Sequence, residues 1–384
     1  MSDTPLVRWL AVAALTLGIF TIVTSEILPI GLLTAIGGDF GLTDGVTGLT
    51  MTLPGIVAAL AAPSLTLAMA RLDRRVTLCA MMALLAAADV LAAVAWSYEA
   101  MLVSRILVGL TIGGFWSVGA GLAGRLVRPA AVGAATALIF SAVPLGSVLG
   151  VPAGTLIGHA AGWRAAFAVL AGLAVLVLAA LLILLPPLPA DRITAAGTLL
   201  AILRRRGTVV ALLATFLVVL AHFGAYTYVT PFLEQVTRLH PAAVSSVLLL
   251  YGAAGVAGNF LAGRTVTTRP RATFAAAGAL IAAVTLLLPV AGGTAWGAIA
   301  LLALWGLAYG AVPVCSQTWF ARAAPDAPEA ATVVFTSSFQ ATFALGALSG
   351  GLVVDTLGLG AVMLCAGAAA LAMAVSLAAL TRRG

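Results

Sequence analysis

The stretch PLPADRITAAGTLLAILRRRG at 187–207 decides how the rest of the chain is read. Prolines at its start and Arg204, Arg205 and Arg206 at its end make it the one long interruption in a succession of apolar runs. Six runs precede it, with cores near 9–34, 47–70, 76–96, 100–122, 131–157 and 164–186. Six follow it, near 208–233, 242–262, 272–290, 295–319, 330–352 and 359–380. A helix of about 20 apolar residues crosses the hydrocarbon core of a bilayer, so the spacing predicts twelve transmembrane helices. Composition agrees: of 384 residues 62% are hydrophobic and only 8% charged, where a soluble domain has about 25% charged. The expected fold is an all-α polytopic membrane protein. It comprises a six-helix bundle at 1–186, a linker at 187–207 and a second six-helix bundle at 208–384.

Charge fixes the expected orientation. All 19 basic residues are Arg. One alternate set of loops holds Arg8, Arg71, Arg74, Arg75, Arg125, Arg128, Arg192, Arg204, Arg205, Arg206, Arg264, Arg269, Arg271, Arg322, Arg382 and Arg383. The other set holds only Arg164 and Arg238, while Arg105 falls inside a span. By the positive-inside rule both termini are cytoplasmic, and a miscounted helix would have scrambled the split. The net charge of +7 is thus a topology signal and forms no basic domain for nucleic acid. The first span lacks a cleavage site and reads as a retained anchor. Trp9, Trp96, Trp163, Trp296 and Trp319 fall at span ends, where amphipathic rings prefer to sit.

The same inventory excludes whole chemistries. Without Lys there is no P-loop, pyridoxal linkage or retinal linkage, so a P-loop ATP-driven pump would need a separate subunit. Cys79, Cys315 and Cys365 lie in or at the ends of apolar spans and form neither a disulfide framework nor a metal-ligand spacing. No metal and no cofactor are expected.

The two sides of the linker echo each other. Gly146, Gly150 and Gly158 match Gly346, Gly350 and Gly358 at an offset of 200. Arg71, Arg74 and Arg75 follow the second span as Arg264, Arg269 and Arg271 follow the eighth. Copies six spans apart share one orientation, as in parallel repeats related by an axis along the membrane normal. In span 5, Gly146, Gly150 and Gly154 occupy one helix face and admit a close neighbour. Pro144 and Pro152 remove backbone donors from that span. Two readings stand for this segment: tight packing alone, or a bend at which the halves meet and part.

Three charges fall well inside spans: Glu26, Asp89 and Arg105. An ionisable group at that depth costs at least about 2.5 kcal/mol and needs a partner, a water-filled cavity or a proton. Asp89 and Arg105 stand eight residues either side of the turn near Ser97, about 12 Å deep on adjacent antiparallel helices, so they are expected to pair. The pair either neutralises two buried charges or also serves proton transfer. Glu26 has no Arg at an obvious matching depth unless Arg105 is shared. It either holds a proton or binds a cationic or polar substrate, or it is a protonated acid on a backbone carbonyl. His222 and Tyr226 are i and i+4 in span 7, as Trp305 and Tyr309 are in span 10. Each pair is either packing or a binding surface for flat or amphipathic ligands.

Several stretches carry a family resemblance. TLAMARLDRR (66–75), Arg105 with Gly109, and GSVLGVPAGT (146–155) resemble motifs A, B and C of the major facilitator superfamily, and motif C belongs to its antiporters. TSEILPIGLL (24–33), GWRAAF (162–167), HFGAYTYVTPFL (222–233), GNFLAGR (258–264), QTW (317–319) and APDAPEAA (324–331) resemble the bacterial arabinose, purine-nucleoside and chloramphenicol efflux permeases of the twelve-span drug:proton antiporter family. TSEILPIGLL resembles a TE-x-x-x-x-GLL pattern, here with Ser25 between Thr24 and the acid. The resemblance spans essentially the whole chain. It implies gating by Arg71, Asp73, Arg74 and Arg75 with Gly146, Gly150, Pro152 and Gly154. It also implies proton coupling through Glu26, Arg105 and Asp89. Substrate contacts are implied at Glu26, His222, Tyr226, Trp305 and Tyr309, because spans 1, 4, 7 and 10 line the cavity in that superfamily, and at Gln340 of span 11. Thr66 stands where motif A has Gly, and Ala70 and Thr267 stand where Asp is usual, which implies a weaker or differently built gating lock. Phe335 and Gln340 occupy places where relatives often have Asn.

The expected protein is a monomeric multi-pass carrier of the bacterial cytoplasmic membrane, not an enzyme. It exchanges a small organic solute for protons by alternating access, driven by the proton gradient with no cofactor. Its expected partners are that solute, protons and the lipid bilayer. A uniporter or proton symporter on the same fold is the alternative. An intramembrane transferase would need clustered acids, whereas Glu26 and Asp89 lie on different helices.

Overall fold

The computed structural model describes residues 5–119, 122–189 and 196–382; Arg192 and Arg383 lie outside them. Twelve long helices form among the described residues. In the first half they are α1 (Pro5–Phe40), α2 (Leu49–Ala68), α3 (Arg74–Ala93), α4 (Tyr98–Gly119), α5 and α6 (Trp163–Leu184). In the second half they are α7 (Arg206–Tyr226), α8 (Pro241–Thr265), α9 (Pro270–Ala291), α10 (Ala295–Ala323), α11 (Pro328–Leu357) and α12 (Leu359–Arg382). All are long and apolar enough to cross a membrane. An even number of crossings brings the start of α1 and the end of α12 to one end, the one whose loops carry most of the Arg.

Local chemistry corrects three of the expected boundaries. The first span is longer than 9–34: α1 runs unbroken through Pro29 to Phe40. Span 5 is not one regular helix but Val132–Leu145, a π-turn at Gly146–Gly150 and Val151–Ala161, together α5. Pro152 has no N–H to donate, and the widened turn absorbs the break. Span 7 does not continue to residue 233. It ends at Tyr226, followed by a helical turn at Val229–Pro231 and a π-turn at Phe232–Val236, because Pro231 removes another donor. The linker carries a short helix at Ala196–Leu203, which seats Ile202 among Phe320, Ala330 and Val334.

Within lipid there is no hydrophobic drive between helices, so close packing at small residues holds them together. In the first half, a Cβ on Gly109 or Gly113 of α4 would lie 2.6 Å from Pro54 or Ala61 of α2. In the second half, Gly258 of α8 faces the Leu307 carbonyl of α10, and Gly306 and Gly310 of α10 face the Tyr251 and Gly255 carbonyls of α8. These two contacts occupy equivalent places in the two halves.

The glycine register is likewise realised in three dimensions, with two corrections. Gly146, Gly150 and Gly154 face Val23, Thr24 and Leu28 of α1, inside the first half, and not the opposite half. Their copies Gly346 and Gly350 face Leu220 and Gly224 of α7. The halves meet beside the stripe, where a Cβ on Gly252 of α8 would lie 2.6 Å from the Val148 backbone. The 158-to-358 match fails: Gly158 packs on Leu32, whereas Gly358 has φ +89° and turns the chain between α11 and α12. Its counterpart is Gly162, φ +87°, between α5 and α6.

Trp96 and Trp296 are exposed at their span ends, but Trp163 is buried against Phe40 and Phe167, so it serves packing. At the Arg-rich end, Arg205 donates to Asp326 through two bonds of 2.5 and 2.7 Å, clasping the linker to the loop before α11. Arg205 holds the Asp326 carboxyl down from its ordinary 3.8 to about 2. A lowered folded-state value means that the clasp contributes fully above about pH 4 and is lost as pH falls through about 2. Thermal unfolding of wild type and Asp326→Asn in detergent should therefore differ at pH 6 and converge towards pH 2.

Candidate functional site

Glu26, Asp89 and Arg105 lie within α1, α3 and α4, all buried. Arg105 pairs with Asp89 at 3.6 Å, and both side chains are fully enclosed. Ser25 joins the pair to α1: its hydroxyl donates to Asp89 Oδ1 (2.6 Å), and its carbonyl accepts from Arg105 (2.8 Å). Arg105 also donates to the Ser104 hydroxyl (3.2 Å), and its guanidinium lies 5.0 Å from the Phe167 ring centre. Asp89 Oδ2 and Arg105 Nε are buried without a hydrogen-bond partner. The network therefore compensates its charges but leaves one bonding position open on each.

Glu26, the next residue on α1, stands about 100° further around the helix. Its carboxylate accepts from the Gln340 side-chain amide of α11 at 2.7 Å. That bond crosses from one half of the molecule to the other. Arg105 lies within electrostatic reach of Glu26, but its ion pair is with Asp89. Ser337, one turn away on α11, donates to the Ala59 carbonyl of α2 at 2.6 Å.

The second-half wall is aromatic. His222 and Tyr226 share a face of α7, and Trp305 and Tyr309 share a face of α10, as their spacing requires. The rings of Tyr309, His222, Tyr226 and Tyr251 form a continuous stack, with successive centroids at 3.4, 4.9 and 4.5 Å. Trp305 meets this stack edge-on and donates from Nε1 to His222 Nδ1 at 3.1 Å. The accepting Nδ1 makes His222 a hydrogen-bonded member of the stack. Tyr309 lies within electrostatic reach of Glu26, so the aromatic wall borders the acid. Tyr251, with its buried hydroxyl unpartnered, was missed in the sequence, as were Phe223 and Phe343 with ring centres 4.1 Å apart. The available signal was rarity: the chain has five Tyr, and Tyr251 stands in the middle of a span.

Of the expected gating residues, the α5 stripe of Gly146, Gly150 and Gly154 packs on α1 beside this centre, whereas those of the 71–75 turn lie away from it. Asp73 caps α3 by accepting from the Arg75 amide and also accepts from the Leu188 amide, while the Arg75 guanidinium donates to the Leu182 carbonyl. These bonds fasten α3 to the end of α6 within one half. At the opposite, Arg-poor end, bonds between halves do form. Asp355 accepts from the Thr43 hydroxyl (2.8 Å) and the Gly45 amide (3.0 Å), and Gln235 donates to Asp44 (2.9 Å). These bonds join the halves at this end, through residues that no motif in the sequence marks.

Two bundles meeting around a buried acid, an ion pair and an aromatic wall define a polytopic membrane transporter. The chain belongs to the Major Facilitator Superfamily, whose family model matches residues 15–337. It is 37% identical over 379 residues to a Pseudomonas aeruginosa protein named transcription regulatory protein OpdE, covering 98% of this chain and 94% of that one. It is 32% identical to a probable sugar efflux transporter of Helicobacter pylori (strain G27), over 92% of this chain and 90% of that one. It is 30% identical to the purine ribonucleoside efflux pump NepI of Salmonella paratyphi A, over 98% and 94%. Its fold is similar to that of the human organic anion transporter MFSD10, with a TM-score of 0.74, 18% identity, and 97% of this chain and 100% of that chain covered. The protein is therefore a multi-pass transporter of small molecules and not an enzyme.

Proposed function

We infer that this transporter is a proton-coupled exporter, exchanging a small polar organic solute for protons by alternating access. The observation that carries the reading is the division of partners at the centre. Asp89 takes the ion pair with Arg105, so Glu26 is left with a neutral amide. A carboxyl at that depth without its own counter-charge is served by a proton or by a substrate that donates to it. Cytoplasmic solute displaces the proton at Glu26, the halves rock, the solute leaves outside, and a proton rebinds. The Tyr and Trp wall beside the acid suits a flat or amphipathic solute, and relatives named for sugar and nucleoside efflux support that class. The Arg distribution supports placing the Arg-rich end and both termini in the cytoplasm of a bacterium, in its inner membrane. We take the working unit to be a monomer in the lipid bilayer.

The test is uptake into everted vesicles under an imposed proton gradient, across a panel of sugars, nucleosides and drugs. Glu26→Gln preserves the shape and removes the titrating group. It should reduce gradient-driven uptake to the level of vesicles lacking the transporter. Full uptake by Glu26→Gln would refute the proton-carrier role, and wild-type uptake indifferent to the gradient would make the protein a uniporter.

A further inference from the structure

Helix α11 is bonded by side chains to the first half at three levels: Ser337 to Ala59, Gln340 to Glu26, and Asp355 to Thr43 and Gly45. From residue 337 to 355 these ties span about 27 Å of helix. The Asp355 ties are exposed, and water competes for them. Only the middle tie ends on a buried acid, with Gln340 5% and Glu26 9% exposed. It is thus the one tie whose strength depends on the charge state of the transport site. An amide N–H is also the same kind of donor as a sugar hydroxyl or a nucleobase amine, so a polar substrate and Gln340 compete for one acceptor.

We propose that Gln340 is a coupling residue: it holds the substrate's place on Glu26 and keeps α11 bound to the first half until substrate or a proton releases it. The proposal rests on the reading of Glu26 as the proton-exchanging acid. When Glu26 is ionised and the site empty, the charge-assisted bond from the amide is strong and the halves stay together. Protonation turns the acceptor neutral and weakens the tie. A substrate that donates to the carboxylate replaces the tie outright. In both cases α11 is freed, so the loaded and the protonated carriers reorient and the empty, ionised one does not. That last prohibition is what prevents protons from crossing without exchange.

The position of α11 makes the tie specific to this side chain. A Cβ on Gly55 of α2 would lie 2.9 Å from the Gln340 carbonyl, so α11 is in backbone contact with α2 beside the tie. From that seat the glutamine amide reaches Glu26 at 2.7 Å, and a side chain one methylene shorter at the same backbone position would stop short of it.

The experiment needs no known substrate, because the proton is the probe. Full-length protein is reconstituted into liposomes containing a pH-sensitive dye, with valinomycin and potassium clamping the voltage, and a pH gradient is imposed without solute. Wild type should be tight. Gln340→Leu, similar in size and without a donor, should leak protons about tenfold faster, the factor expected for losing a charge-assisted hydrogen bond. Gln340→Asn, one methylene short, should leak at an intermediate rate, and it decides the matter if the leucine variant does not fold. Adding Glu26→Gln to Gln340→Leu should abolish the leak. Wild-type tightness in the folded Gln340 variants would overturn the coupling role alone. A leak that survives Glu26→Gln would overturn the reading of Glu26 as the proton carrier, and the proposal with it.

Discussion

Replacing Asp89 with alanine should destabilise the protein by about 3 to 5 kcal/mol, because it leaves Arg105 charged, enclosed and without a carboxylate. The geometry is unfavourable to any local repair. Arg105 is fully buried, its Nε already lacks a partner, and its remaining bonds go to the Ser25 carbonyl and the Ser104 hydroxyl. Asp89→Asn should cost less, since a side-chain oxygen remains to accept from Ser25. Exchanging the charges, Asp89→Arg with Arg105→Asp, should restore folding only in part. The Ser25 carbonyl, which now accepts from Arg105, would face a carboxylate. The double change Asp89→Leu with Arg105→Met should be more stable than either single change, because it removes both desolvated charges together. Thermal unfolding of these four variants and of the single changes Asp89→Leu and Arg105→Met in detergent checks the order. Transport by the apolar double variant then separates the two readings of the pair: a folded, active protein would limit it to charge neutralisation, and a folded, inactive one would assign it a part in the cycle.

The second large effect is expected at Gly258. Its Cα faces the Leu307 carbonyl of α10, and an added Cβ would overlap that oxygen. Both atoms belong to helical backbone, so no rotamer change relieves the clash, and α8 must move away from α10. Gly258→Val should cost at least the upper end of the about 1 to 3 kcal/mol typical of overpacking. It should also displace Tyr251 from the aromatic stack, since Tyr251 meets Gly306 of α10 across the same seam. Gly263, five residues on in α8, has nothing within 4 Å of its Cβ position. Gly263→Ala should therefore stabilise the same helix by about 0.5 to 1 kcal/mol. Opposite signs at two glycines of one helix, read as shifts in unfolding temperature, would establish that backbone contact and not helix propensity governs Gly258.

The central residues differ in how legible they were. Asp89 and Arg105 could be paired from the sequence because equal distance from a short turn places two residues at equal depth on antiparallel neighbours. The i, i+4 spacing of His222 with Tyr226 and of Trp305 with Tyr309 fixed which residues share a face, since helix geometry is local. That these faces turn towards one another, with Tyr251 completing the stack, follows from the close seam between α8 and α10. The bond between Glu26 and Gln340 joins residues 314 positions apart and depends on how the halves dock. The π-turn in α5 followed from visible prolines, but its partner did not: the glycine stripe faces α1 and not the opposite half.

What the sequence by itself determined was the number of crossings, the six-and-six duplication, the Arg-rich and Arg-poor ends and the three charges buried at depth. Hydropathy and helix period act over a few turns, and lipid imposes them on each segment separately. Only the tertiary structure decided the partners. It placed Ser25 between Asp89 and Arg105, gave Glu26 to Gln340 and joined the halves at the Arg-poor end through Asp355. In a bilayer the surrounding lipid is as apolar as the helices, so which faces meet is set by shape at glycines and by hydrogen bonds that form only after docking.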